Sequence, residues 1–398
     1  MSNIASIASN IGNLGGKNTQ PNFLSKLSES YRLKSLFADI NGYEVPGKFI
    51  TSLESVFGGT SNKTQLSFID YHGLTSGSSQ CGNPLDIGGT VKTEYTDPHG
   101  CAVEKEHKIT KVHVQQNKEH KKLITVELED QETSKLKNSF KTKGHQDKEF
   151  SKAIEEHVKD LGIDAKKFII QGPQSIKELK ENFIFHSGSS FFHQLGKEAM
   201  SRGFYYITDK FNNSFIHKEL REFNKLMKSG LFFNYGAKHY DLNRILQYNM
   251  SPFDGKIIQS NLPTKKTQVT NANINAKENR EKGGKDTVKD NKKDPKNKDL
   301  LTSLWMGEGT KVKNTGDRLI DDVFDSLSNS QTVRIWVPGM HMNYIGTKID
   351  INLPVPRGTG KYNDEVFSGE YEVVKSRDMI LSEGYFLNEL LLRRPPTV

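Results

Sequence analysis

Cysteine is nearly absent. Cys81 and Cys101 are the only two in 398 residues. Two thiols cannot build a disulfide framework, and the pattern suits a chain made in a reducing cytosol. A single bond between them is the alternative left open. Long apolar runs are missing too. Hydrophobic residues make up 34% of the chain, and no stretch approaches the roughly 18 to 20 apolar residues of a membrane span. The opening MSNIASIASNIGNLGG has neither a basic start nor a continuous apolar run, so no secretory signal is expected. Its Ile4, Ile7 and Ile11 suit either one side of a short helix or a loose tail.

Catalytic signatures are also lacking. There is no phosphate-binding Gly-x-x-x-x-Gly-Lys and no His-Glu-x-x-His. The Gly188-Ser189-Ser190 stretch lacks the Gly-x-Ser-x-Gly spacing of a nucleophile elbow. His72, Cys81, His99 and Cys101 are the right kinds of ligand for tetrahedral zinc. Neither cysteine has a Cys-x-x-Cys partner, so they read better as unliganded loop residues. His186 and His193 suit the surface at the start of a helix, and Asp321-Asp322 a solvated helix face. The expectation is a protein that is not an enzyme and carries no cofactor or metal.

What the chain does have is positive charge, and it is unevenly placed. The net charge is +8. Segment 265–298 holds eleven Lys+Arg against five Asp+Glu and contains no aromatic residue. Such a stretch cannot bury enough apolar surface to fold. A strip that binds single-stranded nucleic acid would interleave aromatics for stacking. A disordered basic loop over 263–299 is therefore expected, with nucleic-acid binding through 265–298 as the alternative. Deleting 264–298 is expected to leave the melting temperature within a few degrees of the parent, as thermal unfolding would show.

Extended patterning dominates elsewhere. GKFITSLESVFGGTSNKTQLSFID, residues 47–70, reads as two arms around a Gly-Gly-Thr-Ser-Asn turn. Residues 71–105 read as a long loop or loosely paired strands. Val112 and Val114 share a face of the next arm, and Ile124, Val126 and Leu128 share a face of its partner. The character then changes. Phe150, Ile154 and Val158 have helical spacing, and Gly162 stops the run. A second helix is expected with Phe191, Phe192, Leu195 and Ala199 on one side. FYYITD and SFIHKE follow as a hairpin. Tyr248, Ile257 and Ile258 are candidate buried positions in the extended stretch 236–262.

Beyond the basic segment, DRLIDDVFDSLSNS places Leu319, Ile320, Val323, Phe324 and Leu327 on one helical face. TVRIWVPG alternates Val333, Ile335 and Val337. NYIGTKIDINLP sets Ile345, Thr347, Ile349, Ile351 and Leu353 on one face. The chain nearly ends with a hairpin whose turn is Ser382-Glu383-Gly384. Its last strand is apolar on both sides: Tyr385, Leu387 and Leu391 point one way, and Phe386, Leu390 and Leu392 the other. An antiparallel strand usually has one wet face. These six residues are thus the candidate contact surface for a neighbouring subunit or partner. Cover by a helix of the same chain is the competing explanation.

The order of these elements resembles the baseplate hub protein of contractile-tailed bacteriophages, with the related spike-hub proteins of type VI secretion and phage late-control proteins. Gly346, Gly369, Tyr371 and Val373 stand where that pattern wants them. SFFHQLGKEAMSRGFYYITD and GKFITSLESVFGGTSNKTQLSFID are similar to the family's middle and opening parts. The resemblance spans about residues 30–260 and 300–395. It implies a β-rich α+β fold: two antiparallel tube-type β-barrel domains with an inserted small α/β domain. Residues 1–30 would be a flexible N-terminal segment. The first barrel would be 31–142, the middle domain 143–235, and the second barrel 236–262 with 300–396. The function implied is a structural hub, a homotrimeric ring of six similar units that joins a threefold central spike to a sixfold tail tube. Partners would be the spike, the tail tube or tube-initiator protein, and the tape measure and baseplate wedge proteins. No membrane and no specific nucleic acid are expected. The location would be the virion tail baseplate, assembled in the host cytoplasm. A tail-borne cell-wall-degrading enzyme is the second alternative.

Overall fold

The computed structural model describes residues 27–59, 62–75, 84–116, 121–138, 142–171, 178, 180–185, 195, 199, 204–211, 213–217, 223–238, 240–251, 331–354, 364 and 367–394. The second and third expected helices, Phe191, Phe192, Ile257, Ile258, Cys81, His186, His193 and the basic segment fall wholly or largely outside them. Leu195 and Ala199 are helical and fully buried.

The opening strands are β1 (Ser35–Ile40), β2 (Tyr43–Pro46), β3 (Ile50–Phe57), β4 (Lys63–Ile69), β5 (Thr90–Thr96), β6 (Ala102–Gln116) and β7 (Lys122–Asp130). Alternation drives them, because one face of each must leave water. β4 shows it well: Thr64, Leu66 and Phe68 turn inward, with Leu66 opposite Leu53 and Val126. Within 71–105 the described residues up to Gly89 are turns and loop, and pairing begins at β5. β5 buries Val91, Thr93 and Tyr95 and pairs along its length with β1 and β6. Only two of its seven residues, Val91 and Tyr95, are apolar or aromatic, so the sequence signal there was faint.

The middle of the chain carries α1 (Gln131–Lys137), β8 (Lys143–Lys148), α2 (Phe150–Asp160), β9 (Phe168–Gln171), β10 (Glu181–Phe185), β11 (Phe204–Thr208) and β12 (Asn213–His217). β8 and β10 form one small sheet, and β9, β12 and β11 another. Phe150, Ala153, Ile154 and Val158 of α2 pack on Phe183, Phe185, Phe204 and Phe215. Gly162 ends the helix with φ +70°, a left-handed value that favours glycine.

Two histidines share this aromatic core. His145 and His157 are buried with ring centroids 5.9 Å apart, and each lies against Phe185. Burial pushes both below the usual imidazole value, His157 to about 4. Lys143 lowers both further, His145 lowers His157, and Glu156 and Asp160 oppose the shift only in part. Folded imidazoles thus resist protons that the unfolded chain accepts near pH 6.5. Stability is full above that pH and is lost as pH falls from about 6.5 toward 4. Thermal scans across that window should show a falling midpoint, with a shallower slope in His157→Gln.

The remaining strands are β13 (Lys228–Asn234), β14 (Gln247–Ser251), β15 (Gln331–Pro338), β16 (Lys348–Asn352), β17 (Gly369–Leu381) and β18 (Phe386–Arg394). They join β1–β7 in one curled sheet of thirteen strands, ordered β14-β15-β18-β17-β3-β4-β7-β6-β5-β1-β2, with β16 on β17 and β13 on β16. Pairing is antiparallel except for β13 with β16. The long alternation begun at Ile345 becomes strand only at Lys348, because Gly346 takes φ +76° and Thr347 closes a turn on Tyr344. No helix among the described residues is long and apolar enough to cross a membrane.

The sheet wraps two cores. One runs from Ala38 to Leu128 and also takes Ile380 and Phe386. The other gathers Phe233, Ile245, Val333, Ile335, Ile349, Ile351, Tyr371, Leu390 and Leu392. β17 passes from one to the other. Its start pairs with β16, its end pairs with β3, and a bulge between Val373 and Lys375 marks the change. Gly58 sits against that bulge at φ +94°, where a Cβ would lie 2.4 Å from the Val374 carbonyl oxygen.

Candidate interaction surface and buried junction

β18 resolves the puzzle of the two-faced strand. Phe386, Leu390 and Leu392 are fully buried on the inner face. The strand spans the boundary, so Phe386 fills the first core while Leu390 and Leu392 fill the second. On the outer face Leu387 is also fully buried, packed with Trp336 and Met379 beside Leu27, Leu246 and Leu381 of the same chain. Leu391 and Tyr385 are half-buried. The same chain therefore covers the outer face at Leu387, and Leu391 and Tyr385 keep part of their surface. Among the described residues no helix does the covering: the partners are strand residues together with Leu27 and with Leu246 just ahead of β14.

Beside these leucines the outer face is charged. Arg334 on β15 meets Glu389 on β18, Glu389 meets Arg377 on β17, and Arg377 meets Glu54 on β3. This ladder crosses four adjacent strands. Arg377, Glu389 and Glu54 keep under a quarter of their side-chain surface exposed, so the ladder ties these strands together from a partly buried position.

A second set of residues, unremarked in the sequence, lies where the three cores meet. The turn between β11 and β12 carries Lys210, whose side chain is fully buried. Its Nζ lies 2.9 Å from Oδ1 of Asp378 on β17 and donates to the Met340 carbonyl at 3.3 Å. Asn388 on β18 stands directly opposite Asp378 and donates from Nδ2 to the same Oδ1 at 2.7 Å. Its own Oδ1 accepts from the Met340 backbone N–H at 2.7 Å and the Tyr344 hydroxyl at 3.4 Å. The rings of Tyr344 and Phe57 flank Lys210 at 5.5 and 5.8 Å. The turn is clamped from outside: Thr208 exchanges bonds with Gly58 and Gly59, and Asn343 donates to Asp209. Ile207, Phe57 and Ile345 pack around it.

Asp378 also borders a cavity of about 10 Å³ lined by Tyr95, Lys105 and His107. Burial lowers Lys105 from the usual lysine value and takes His107 down to about 4. It raises the Tyr95 and Tyr344 phenols. Asp97 ties this region together, accepting from the Cys101 and His341 backbone N–H groups. Polar residues on inward positions of β-strands look like ordinary alternation failures in a sequence. Asn388 in FLNEL interrupts an apolar run, and that was the available signal; Asp378 follows Lys375, Ser376 and Arg377 and gave none.

Of the residues weighed for zinc, Cys81 lies outside the described residues. His72 contacts the Glu44 carbonyl at 2.8 Å and Cys101 is exposed. Among the described residues no group of three or more His, Cys, Asp or Glu is placed to hold a metal ion.

No protein-family model matches this sequence, and no curated protein matches it either. Solved structures do match. The 43 kDa tail protein of prophage MuSo2 from Shewanella oneidensis overlays with a TM-score of 0.56 at 13% identity, covering 91% of this chain and 98% of that one. A tail protein from Neisseria meningitidis overlays at 0.51 with 10% identity, covering 90% and 96%. A component of the E. coli type VI secretion system follows at 0.49 with 11% identity, over 91% and 77%. At such identities the first two overlays establish a shared fold, that of phage tail proteins, along almost the whole of each chain.

Proposed function

We propose that this chain is a structural hub of a phage tail baseplate, a homotrimeric ring that joins a central spike to the hexameric tail tube. The observation that carries the reading is the end-to-end overlay on the MuSo2 tail protein, with 91% of this chain and 98% of that one in register. A partial match would suit a borrowed domain; a full-length one suits the same kind of molecule. Each chain would supply two tube-type β-barrels, with the α/β unit inserted between them. Two isolated bridges favour that division. Arg32 pairs with Tyr385, drawing the chain ahead of β1 to the β17–β18 tip, and Asn234 pairs with Arg244, drawing β13 to the chain ahead of β14. Each bridge brings together the open ends of one half of the sheet. Three chains would then present six similar units, which is what a threefold-to-sixfold adaptor requires.

The role is one of shape rather than catalysis, exercised in the virion tail. The outer face of β18, with Tyr385, Leu391 and the charge ladder, is the surface assigned to neighbours, while the inner residues Phe386, Leu390 and Leu392 hold the chain together. Spike, tube or tube-initiator, tape measure and wedge proteins are the contacts such a hub makes. Light scattering on the purified chain, alone and mixed with its spike, should give the mass of a trimer in at least the mixture. A strict monomer in both would overturn the trimeric hub.

A further inference from the structure

We propose that Lys210 and Asn388 become joined by an intramolecular amide bond, which the protein forms itself with Asp378 moving the protons. The three side chains come from the β11–β12 turn, β18 and β17. Nothing in the fold requires an amine, a carboxamide and a carboxyl to converge in a dry place, yet they do. Lys210 Nζ and Asn388 Nδ2 both contact one oxygen, Asp378 Oδ1, at 2.9 and 2.7 Å. They also share Met340, which accepts from the amine through its carbonyl and donates to the carboxamide through its N–H. The orientation of the carboxamide follows from these partners. A flipped amide would set donor against donor at Met340 and acceptor against acceptor at Asp378.

Each part has a chemical role. Asp378 is placed to take a proton from the Lys210 ammonium, leaving a free amine that shares one carboxylate oxygen with the Asn388 carboxamide. Attack forms the Nζ–Cγ bond. The charge that develops on Asn388 Oδ1 meets the Met340 N–H and the Tyr344 hydroxyl, donors already in place. Asp378 then passes its proton to Nδ2 and takes one from Nζ. The Cγ–Nδ2 bond breaks and ammonia leaves. One amide replaces another, no oxidant or reductant is needed, and Asp378 ends protonated.

The surroundings favour that outcome. Asp378 Oδ2 is buried and has no hydrogen-bond partner among the described residues, so the carboxylate is incompletely satisfied before reaction. A buried ion pair carries a desolvation penalty that only excellent geometry offsets. The reaction removes both charges. The aromatic rings of Phe57 and Tyr344 exclude water from the amine. The cavity beside Asp378 is about the size of one water molecule, which is also the size of the departing ammonia. The product would bolt the middle unit to the strand shared by both halves of the sheet.

Intact-mass measurement of the denatured full-length chain tests this directly. The expected mass is lower than that of the sequence by one ammonia. Trypsin should fail to cut at Lys210 and should release a branched peptide joining residues 203–218 to residues 378–393. Lys210→Arg keeps the positive charge but should return to its full sequence mass. Asn388→Asp should lose water instead of ammonia. A wild-type chain at its full sequence mass after prolonged incubation overturns the proposal, whether or not any variant folds. So does a missing ammonia that persists in Lys210→Arg or in Asn388→Asp, because it would have to come from elsewhere.

Discussion

Leu390→Asp is expected to unfold the second core, while Leu391→Asp, one residue along, is expected to leave the chain folded and unable to assemble. Leu390 is fully buried opposite Ile335 and among Val333, Tyr371 and Leu392. Truncating such a leucine costs about 2 to 5 kcal/mol. An unpaired carboxylate in the same place adds several more. Against a typical total stability of about 5 to 15 kcal/mol, little would remain. Leu391 differs in burial and in neighbours. It is half-buried on the outer face, and its cross-strand partners are Arg334 and Lys375. A carboxylate there meets two cations and tolerates the monomer well. In an apolar contact between subunits, the same charge would be desolvated and disruptive. Circular dichroism reports the first effect and light scattering with the spike the second. Normal assembly of Leu391→Asp would move the subunit contact off this face.

Part of this contrast was legible in the sequence. The double apolar pattern of the last strand marked it as unusual, and the hairpin turn at Ser382–Gly384 was readable from Gly384, which takes φ +77°; the left-handed angle at Glu383 had no sequence sign. The strands around Val333, Leu66 and Val126 were readable for the same reason: period-two alternation is a local property. What could not be read is which partner each face meets. β17 changes neighbours halfway along, from β16 to β3, and nothing in GEYEVVKSRDMIL announces the switch except the extra residue at the bulge. One inner face therefore serves two cores, which a strand-by-strand reading has no means to assign. β5 was faint because Thr93 fills an inward position usually taken by an aliphatic residue. The buried junction was least legible of all. Lys210 sits in a KFNN turn that reads as solvent-exposed, and only its contact with Asp378, 168 residues away in sequence, turns it inward.

That junction supplies the other large effect. Lys210→Met is expected to lower stability by about 3 to 5 kcal/mol, the usual consequence of removing one member of a buried pair. The methionine fills much of the same space and suits the rings of Phe57 and Tyr344, so packing is largely kept. Measured against the chain before Lys210 and Asn388 react, what is lost is the cation facing Asp378, whose side chain is only 7% exposed and whose Oδ2 already lacks a partner among the described residues. Lys159→Met makes the control. Its partner Glu155 lies one helical turn away on α2, and both side chains are more than half exposed. Pairs so open to solvent contribute little to stability. Urea titrations should therefore separate the two variants widely at similar slopes. The damage in Lys210→Met should also be directional. The turn between β11 and β12 would lose its anchor on β17, so limited proteolysis should cut first in the middle unit and leave the strands around Leu66 and Ile335 protected. Equal and small losses in both variants would mean that Asp378 finds another partner when Lys210 is gone, and that the orientation of the middle unit rests on Ile207, Phe57 and Ile345 alone.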